Sequence, residues 1–122
     1  MTPEIDEFGR KLIELVRDPT IDSAEVLKNK FSKSPVRLKL NAYDEKTVQE
    51  ILDIVLPDVI DDTIFHVLNA LDGGGLRMIY QSDSGNACDL DEEGMGELAG
   101  WLFGDEGWIK SFSRHPTGQA DE

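Results

Sequence analysis

Prolines and glycines cut this chain into short lengths, and within most of them the apolar residues recur at the spacing of one helical face. Thr2, Pro3 and Glu4 read as an N-cap, a first-turn proline and an acid matched to the helix dipole. Ile5, Phe8, Leu12, Leu15 and Val16 follow at helical intervals, so a first helix is expected to end near Arg17, before Pro19. Asp22 and Glu25 have the spacing of a capping box, and Val26, Leu27 and Phe31 mark the apolar side of a short second helix that residues 32–35 break. Residues 36–40 alternate apolar and basic side chains as a half-buried strand does, yet Ser34 and Pro35 equally open a helical turn; both readings stay open. Asp44 caps a third helix marked by Val48, Ile51, Leu52 and Val55, which Pro57 is expected to terminate. A fourth then starts at Asp58, carries Val59, Ile60, Ile64, Phe65, Leu68 and Leu71, and stops at Gly73 as a left-handed C-cap.

Beyond the glycines at 73–75 the pattern changes. Residues 76–80 and 87–90 read as two short strands joined by a turn at 82–86, and Asp91, Glu92 and Glu93 open a C-terminal helix continued by Leu98, Trp101 and Leu102 to Gly104. Trp108 and Phe112, four apart, predict a last helical turn. The fold class implied is α+β: one small domain over residues 1–115, with N-terminal amphipathic helices, a β-hairpin and a C-terminal helix, and a polar tail at 116–122. A chain of 122 residues suits one core, burying roughly two thirds of the surface its unfolded form exposes.

Charge constrains function more than fold. Between Val48 and Ile109 the one basic residue is Arg77, against fourteen Asp and Glu side chains, whereas residues 1–47 carry nine of each sign. The whole net charge of −13 therefore belongs to the middle and late chain. A field of one sign speaks to partners, and this sign disfavours nucleic acid and anionic membrane, both of which call for lysine and arginine. With a single cysteine, Cys88, no intrachain disulfide can form, which suits a reducing compartment. Absence of a basic-then-apolar leader and of any long apolar run leads to the expectation of a cytoplasmic protein.

Several constellations invite chemistry. Asp89, Asp91, Glu93 and Gly94 stand at positions one, three, five and six of a calcium loop, with Glu97 at nine, but position twelve is Gly100 where a bidentate Glu belongs. An acidic helix start accounts for the same residues, leaving a calcium or small-ligand sensor at residues 89–97 as the weaker alternative. Asp62 and His66, four apart, define a second alternative, a small enzyme using general acid–base chemistry. The glycines at 73–75 follow a helix and have no Lys-Ser/Thr pair, so they read as a C-cap loop in preference to a phosphate cradle, and Cys88 reads as a buried small hydrophobe. Trp101 shares a helical side with Leu98 and Leu102 and belongs to the core; Trp108, beside Asp105, Glu106 and Gly107, is the better anchor for a partner.

These readings converge on a non-catalytic protein-binding module needing no cofactor. Its acidic face is expected to comprise Asp58, Asp61, Asp62, Asp83, Asp89, Asp91, Glu92, Glu93, Asp105 and Glu106, with Trp108 among them. The expected partner is a basic protein, and an immunity-type inhibitor of a basic toxin or nuclease is the specific form that fits size and charge. The chain is expected to be a monomer, or a homodimer through its neutral N-terminal half, where like charges do not repel.

Overall fold

Helix α1 (Pro3–Leu12) begins as its cap residues dictate, with Thr2 Oγ1 accepting the Ile5 N–H at 3.3 Å in a computed structural model that describes residues 2–115. The polar tail expected at 116–122 lies outside the described residues. Helical backbone does not stop before Pro19: a five-residue π turn, Ile13–Arg17, leads directly into α2 (Asp18–Ala24) and a 3-10 turn, Glu25–Lys28. Pro19 sits in the first turn of α2, where its missing N–H costs little, and the wider turn ahead of it accommodates a residue that cannot donate backwards. One extra residue in a turn rotates everything after it by about 100°. Hence Ile13, Arg17 and Asp18 face inward, while Leu15 and Val16, expected in the core, are 69% and 46% exposed.

The ambiguous segment is helical: α3 (Pro35–Leu40) starts on its proline. Its alternation misleads because the buried residue is the charged one. Arg37 turns inward to the Leu27 carbonyl at 2.9 Å, to Asn41 Oδ1 at 3.0 Å and to the Glu45 carboxylate, leaving Val36 and Leu38 exposed.

The third and fourth expected helices are one. After Asp44 accepts the Thr47 N–H at 3.0 Å, α4 runs Glu45–Asp72 straight through Pro57. Val48, Leu52, Leu56, Ile60, Ile64 and Leu68 form an unbroken inward row at steps of four that crosses the proline, so tertiary burial on both sides outweighs one lost backbone bond. Gly73 caps α4 with a right-handed φ of −83°, and the left-handed residue is Gly74, at φ +76°.

The hairpin pairs β1 (Ile79–Gln81) with antiparallel β2 (Ala87–Asp89), Tyr80 opposite Cys88. The long C-terminal helix expected from Asp91 to Gly104 is instead α5 (Leu90–Glu93), a turn, and a 3-10 turn at Ala99–Trp101. Met95 and Gly96, at φ 53° and +71°, take the chain out of the helical region. The carboxylate of Asp72, at the end of α4, then accepts the N–H groups of Leu98 and Ala99 at 2.8 and 2.9 Å.

Helix α6 (Trp108–Phe112) closes the core over Ile5, Phe8, Ile64, Leu68 and Leu102. The Trp108 ring meets Phe8 edge-on, centroids 6.0 Å apart, and lies on Gly9, where an added Cβ would stand 2.1 Å from a ring atom. Only a glycine permits that approach.

Candidate functional site

The ten acids expected to form one face separate into four environments. Asp61 is fully buried: its carboxylate takes the Arg17 guanidinium through Nε at 2.6 Å and Nη2 at 3.2 Å. Arg17 also donates to Ser113 Oγ and the His115 carbonyl, each at 2.7 Å, and Asp18 accepts the Ser113 hydroxyl and the Arg114 N–H. Asp61 thus leaves the acidic face because a buried carboxylate needs a cation, and Arg17 supplies it. Trp108 leaves it as well, at 1% exposure. Trp108 was expected as a partner anchor but is a core residue, because Gly9 lets its ring pack against α1, while Trp101 packs half-buried against the core as expected.

Asp83 belongs to the hairpin turn and is bonded to Lys11, whose ammonium holds the Asp83 carboxyl below the usual carboxylate range. Around α5, Asp89 accepts the Asp91 N–H at 3.1 Å while Glu93 reaches back to the Asp89 N–H at 2.9 Å, a reciprocal cap. Arg77, the one cation of the acidic stretch, donates to Asp89 at 2.6 Å and holds its carboxyl below the ordinary value. Asp91 is half-buried beside them and Glu92 is exposed. The calcium-loop residues Asp89, Asp91 and Glu93 are therefore organised by a helix cap and a guanidinium, and Glu97 is exposed. Among the described residues no group of three or more His, Cys, Asp or Glu side chains is placed to hold a metal ion.

On α4, Asp58 and Asp62 stand outward. Asp62 meets His66 Nε2 at 3.5 Å, both largely exposed, with Phe65 edge-on to the imidazole at 5.7 Å. Phe65 stacks on Phe103 at 5.9 Å, and Asp105 and Glu106 of the loop that follows are exposed. Asp58, Asp62, Asp105 and Glu106 are thus exposed acids without an arginine or lysine ion pair among the described residues, unlike Asp89, which Arg77 holds.

Cys88 is buried opposite Tyr80, and burial pushes its thiol up to about 11, which keeps it protonated and unreactive at neutral pH.

What the periodicity did not reveal is an open apolar flank. Ile51, Val55, Val59 and Val67 of α4 step by four and are all exposed. Thr63, the remaining member of that row, turns its hydroxyl onto the Val59 carbonyl at 2.7 Å and presents no free donor. Beside Thr63 and Val67 a cavity of about 470 Å³ opens between α1, α4 and β1, walled by Phe8, Leu12, Leu15, Val16, Leu68 and Met78. The signal was present in the apolar residues spaced by four on two adjacent rows of one helix, a stripe wider than a single neighbour covers.

Among the described residues no helix is long and apolar enough to cross a membrane. Comparison with known families, curated proteins and solved structures finds no match to this chain.

Proposed function

We propose that this protein is a non-catalytic binding module whose acidic surface attracts a basic protein, in the manner of an immunity-type inhibitor that covers the cationic groove of a toxin or nuclease. The observation carrying this reading is that Asp58, Asp62, Asp105 and Glu106 are all exposed, with no arginine or lysine ion pair joining any of them among the described residues. Elsewhere each cluster of acids has its own counter-ion: Arg17 for Asp61, Lys11 for Asp83, Arg77 for Asp89. Unneutralised exposed carboxylates steer a cationic macromolecule and raise its association rate by about 10- to 1000-fold at low salt.

Neither alternative gains comparable support. His66 and Asp62 form an exposed pair on the surface of α4, and Asp89, Asp91 and Glu93 are occupied with capping and Arg77.

The test is capture of a basic partner from the source organism at low and moderate salt, repeated with the combined variant Asp58→Lys, Asp105→Lys and Glu106→Lys. These side chains are exposed, so the fold should survive, as circular dichroism would verify. We expect binding to weaken by at least about tenfold, with a shallower salt dependence. A partner held equally well by the reversed protein would refute the reading.

A further inference from the structure

We infer that the end of the molecule built from residues 26–43 docks on an anionic phospholipid surface, its lysines at the headgroups and its projecting apolar side chains between them. This contact is independent of the exposed acids of the binding reading above and leaves them free.

Residues 26–43 hold five of the twelve basic side chains of the chain and none of its twenty-five acids. Two of the five are engaged inside the fold: Arg37 with Glu45 and the Leu27 carbonyl, and Lys28 with Glu25 and Asp53. Lys30, Lys33 and Lys39 are exposed and form no ion pair among the described residues. The neighbouring acids are committed elsewhere, Asp44 to the cap of α4 and Glu45 to Arg37 and Gln49, while the exposed Lys46 and Glu50, one helical turn apart, offset each other. A net positive charge therefore remains at this end.

Hydrogen bonds from Arg37 to Glu45 and from Gln49 to the Lys28 carbonyl place the segment on the first turns of α4. The α5 acids lie at the opposite end, where Asp72 takes the Leu98 and Ala99 N–H groups and Asp91 stands beside Gly74. Between the two ends α4 runs 28 residues, or about 42 Å, and even Asp58 is thirteen residues from Glu45, about 20 Å. Exposed charges are screened over about 8 Å at physiological ionic strength. The net −13, which taken whole disfavours an anionic membrane, therefore does not govern a contact made by this end alone.

Helix register adds an apolar component. With Arg37 turned inward, Lys39 lies about 200° round α3 on its outer crest, and Val36 and Leu38 lie about 100° to either side. Both flanking side chains are 54% exposed, and Phe31 before the helix and Tyr43 after it are 81% and 69% exposed. Side chains that project this far suit insertion between headgroups. Stable anchoring needs both charge and apolar insertion, and this end offers both. Single-stranded nucleic acid is held by aromatic stacking, whereas Val36 and Leu38 offer no ring and Phe31 already carries the Lys30 ammonium over its own at 5.2 Å.

The test is co-sedimentation of the full chain with phosphatidylcholine vesicles containing about 30% phosphatidylserine, against vesicles of phosphatidylcholine alone. Binding to the anionic vesicles should be at least about tenfold tighter. Two variants separate the contributions: Lys30→Glu with Lys33→Glu and Lys39→Glu, and Phe31→Ser with Leu38→Ser. Each should weaken binding by at least about tenfold. All five positions are exposed, and circular dichroism would verify that the fold is unchanged.

No binding, or equal binding to the two kinds of vesicle, would overturn the inference. So would binding to the anionic vesicles that survives the lysine reversals, or that falls with them yet ignores Phe31→Ser and Leu38→Ser, since the surface would then act as a counter-ion only. A single-stranded oligothymidylate held more tightly than the anionic vesicles, and lost with the same lysine reversals, would overturn it in favour of nucleic acid. None of these results bears on capture of a basic partner, which the Asp58, Asp105 and Glu106 reversals test separately.

Discussion

Asp61 and Asp62 are adjacent in sequence, yet one is sealed against a guanidinium at 2.6 Å and the other stands in water beside His66. The difference runs the length of α4. On the Asp61 side, Gln49 and Asp53 reach Lys28, Asp61 holds Arg17, and Phe65 stacks on Phe103, so each position is tied to another element. At other positions Ile51, Val55, Val59 and Val67 are about half exposed, and Asp58 and Asp62 stand in water. Adjacent residues on a helix differ by about 100° in direction, so a single long helix can serve as a finished structural wall on one flank and an open surface on the other. Stability is expected to depend on the first flank and binding on the second.

The largest effect should come from breaking the closed flank at its charge. Arg17→Ala leaves Asp61 and Asp18 buried without their shared cation and frees Ser113 and the His115 carbonyl, for an expected loss of about 3–5 kcal/mol in unfolding free energy. Asp62→Ala, one residue from Asp61 but across the divide, should change stability by no more than about 0.5 kcal/mol. Urea denaturation of the two variants checks both; comparable losses would erase the distinction between flanks.

A smaller but sharper test is steric. Gly9→Ala places a methyl into the Trp108 ring and should cost about 1–3 kcal/mol through overpacking, although alanine is the better helix former. Thermal unfolding measures it, and Gly9→Ala combined with Trp108→Leu should recover part of the loss if that contact is the cause. Among the described residues the indole N–H of Trp108 has no hydrogen-bond partner, and the ring is held by packing.

These positions also show how far the chain announced its own structure. Thr2, Pro3 and Asp44 set helix starts by local chemistry, and the caps form as expected because nothing distant competes with them. The hairpin was equally local. Pro57 misled because its local penalty of about 3 kcal/mol is outweighed by apolar burial on both sides of it, whereas Pro19 falls in the first turn of α2, where the missing N–H costs little. The inward turn of Arg17 and Arg37 depends on partners 44 and 8 residues away in the chain, and no spacing rule carries that information. Of the acidic site, exposure was legible for Asp58, Asp62, Asp105 and Glu106, while the burial of Asp61 and Trp108 was not. The cleft escaped notice because a π turn, invisible in periodicity, moved Leu15 and Val16 from the core to its rim.

The smallest expected effect lies where the closed flank meets the end of the described chain. Asp22 accepts from Arg114 Nη2 at 2.6 Å and approaches His115 Nε2 at 2.9 Å; these two contacts, Arg114 first, hold its carboxyl below the ordinary value. A carboxyl lowered by folding stabilises the native state above its unfolded pKa of about 3.9, and that contribution drains away as pH falls through the lower folded value. Residues 113–115, which cover Arg17, should therefore loosen in acid before the core does. Because Asp22 is exposed, the change should be local: amide signals of Ser113 and Arg114 shifting with the Asp22 carboxyl, with the Trp108 signals constant over the same range. Asp22→Asn should abolish that acid step and leave the Arg17–Asp61 pair intact. An Asp22 carboxyl titrating at the ordinary value, or Trp108 moving in step with Arg114, would mean that segment and core respond as one body.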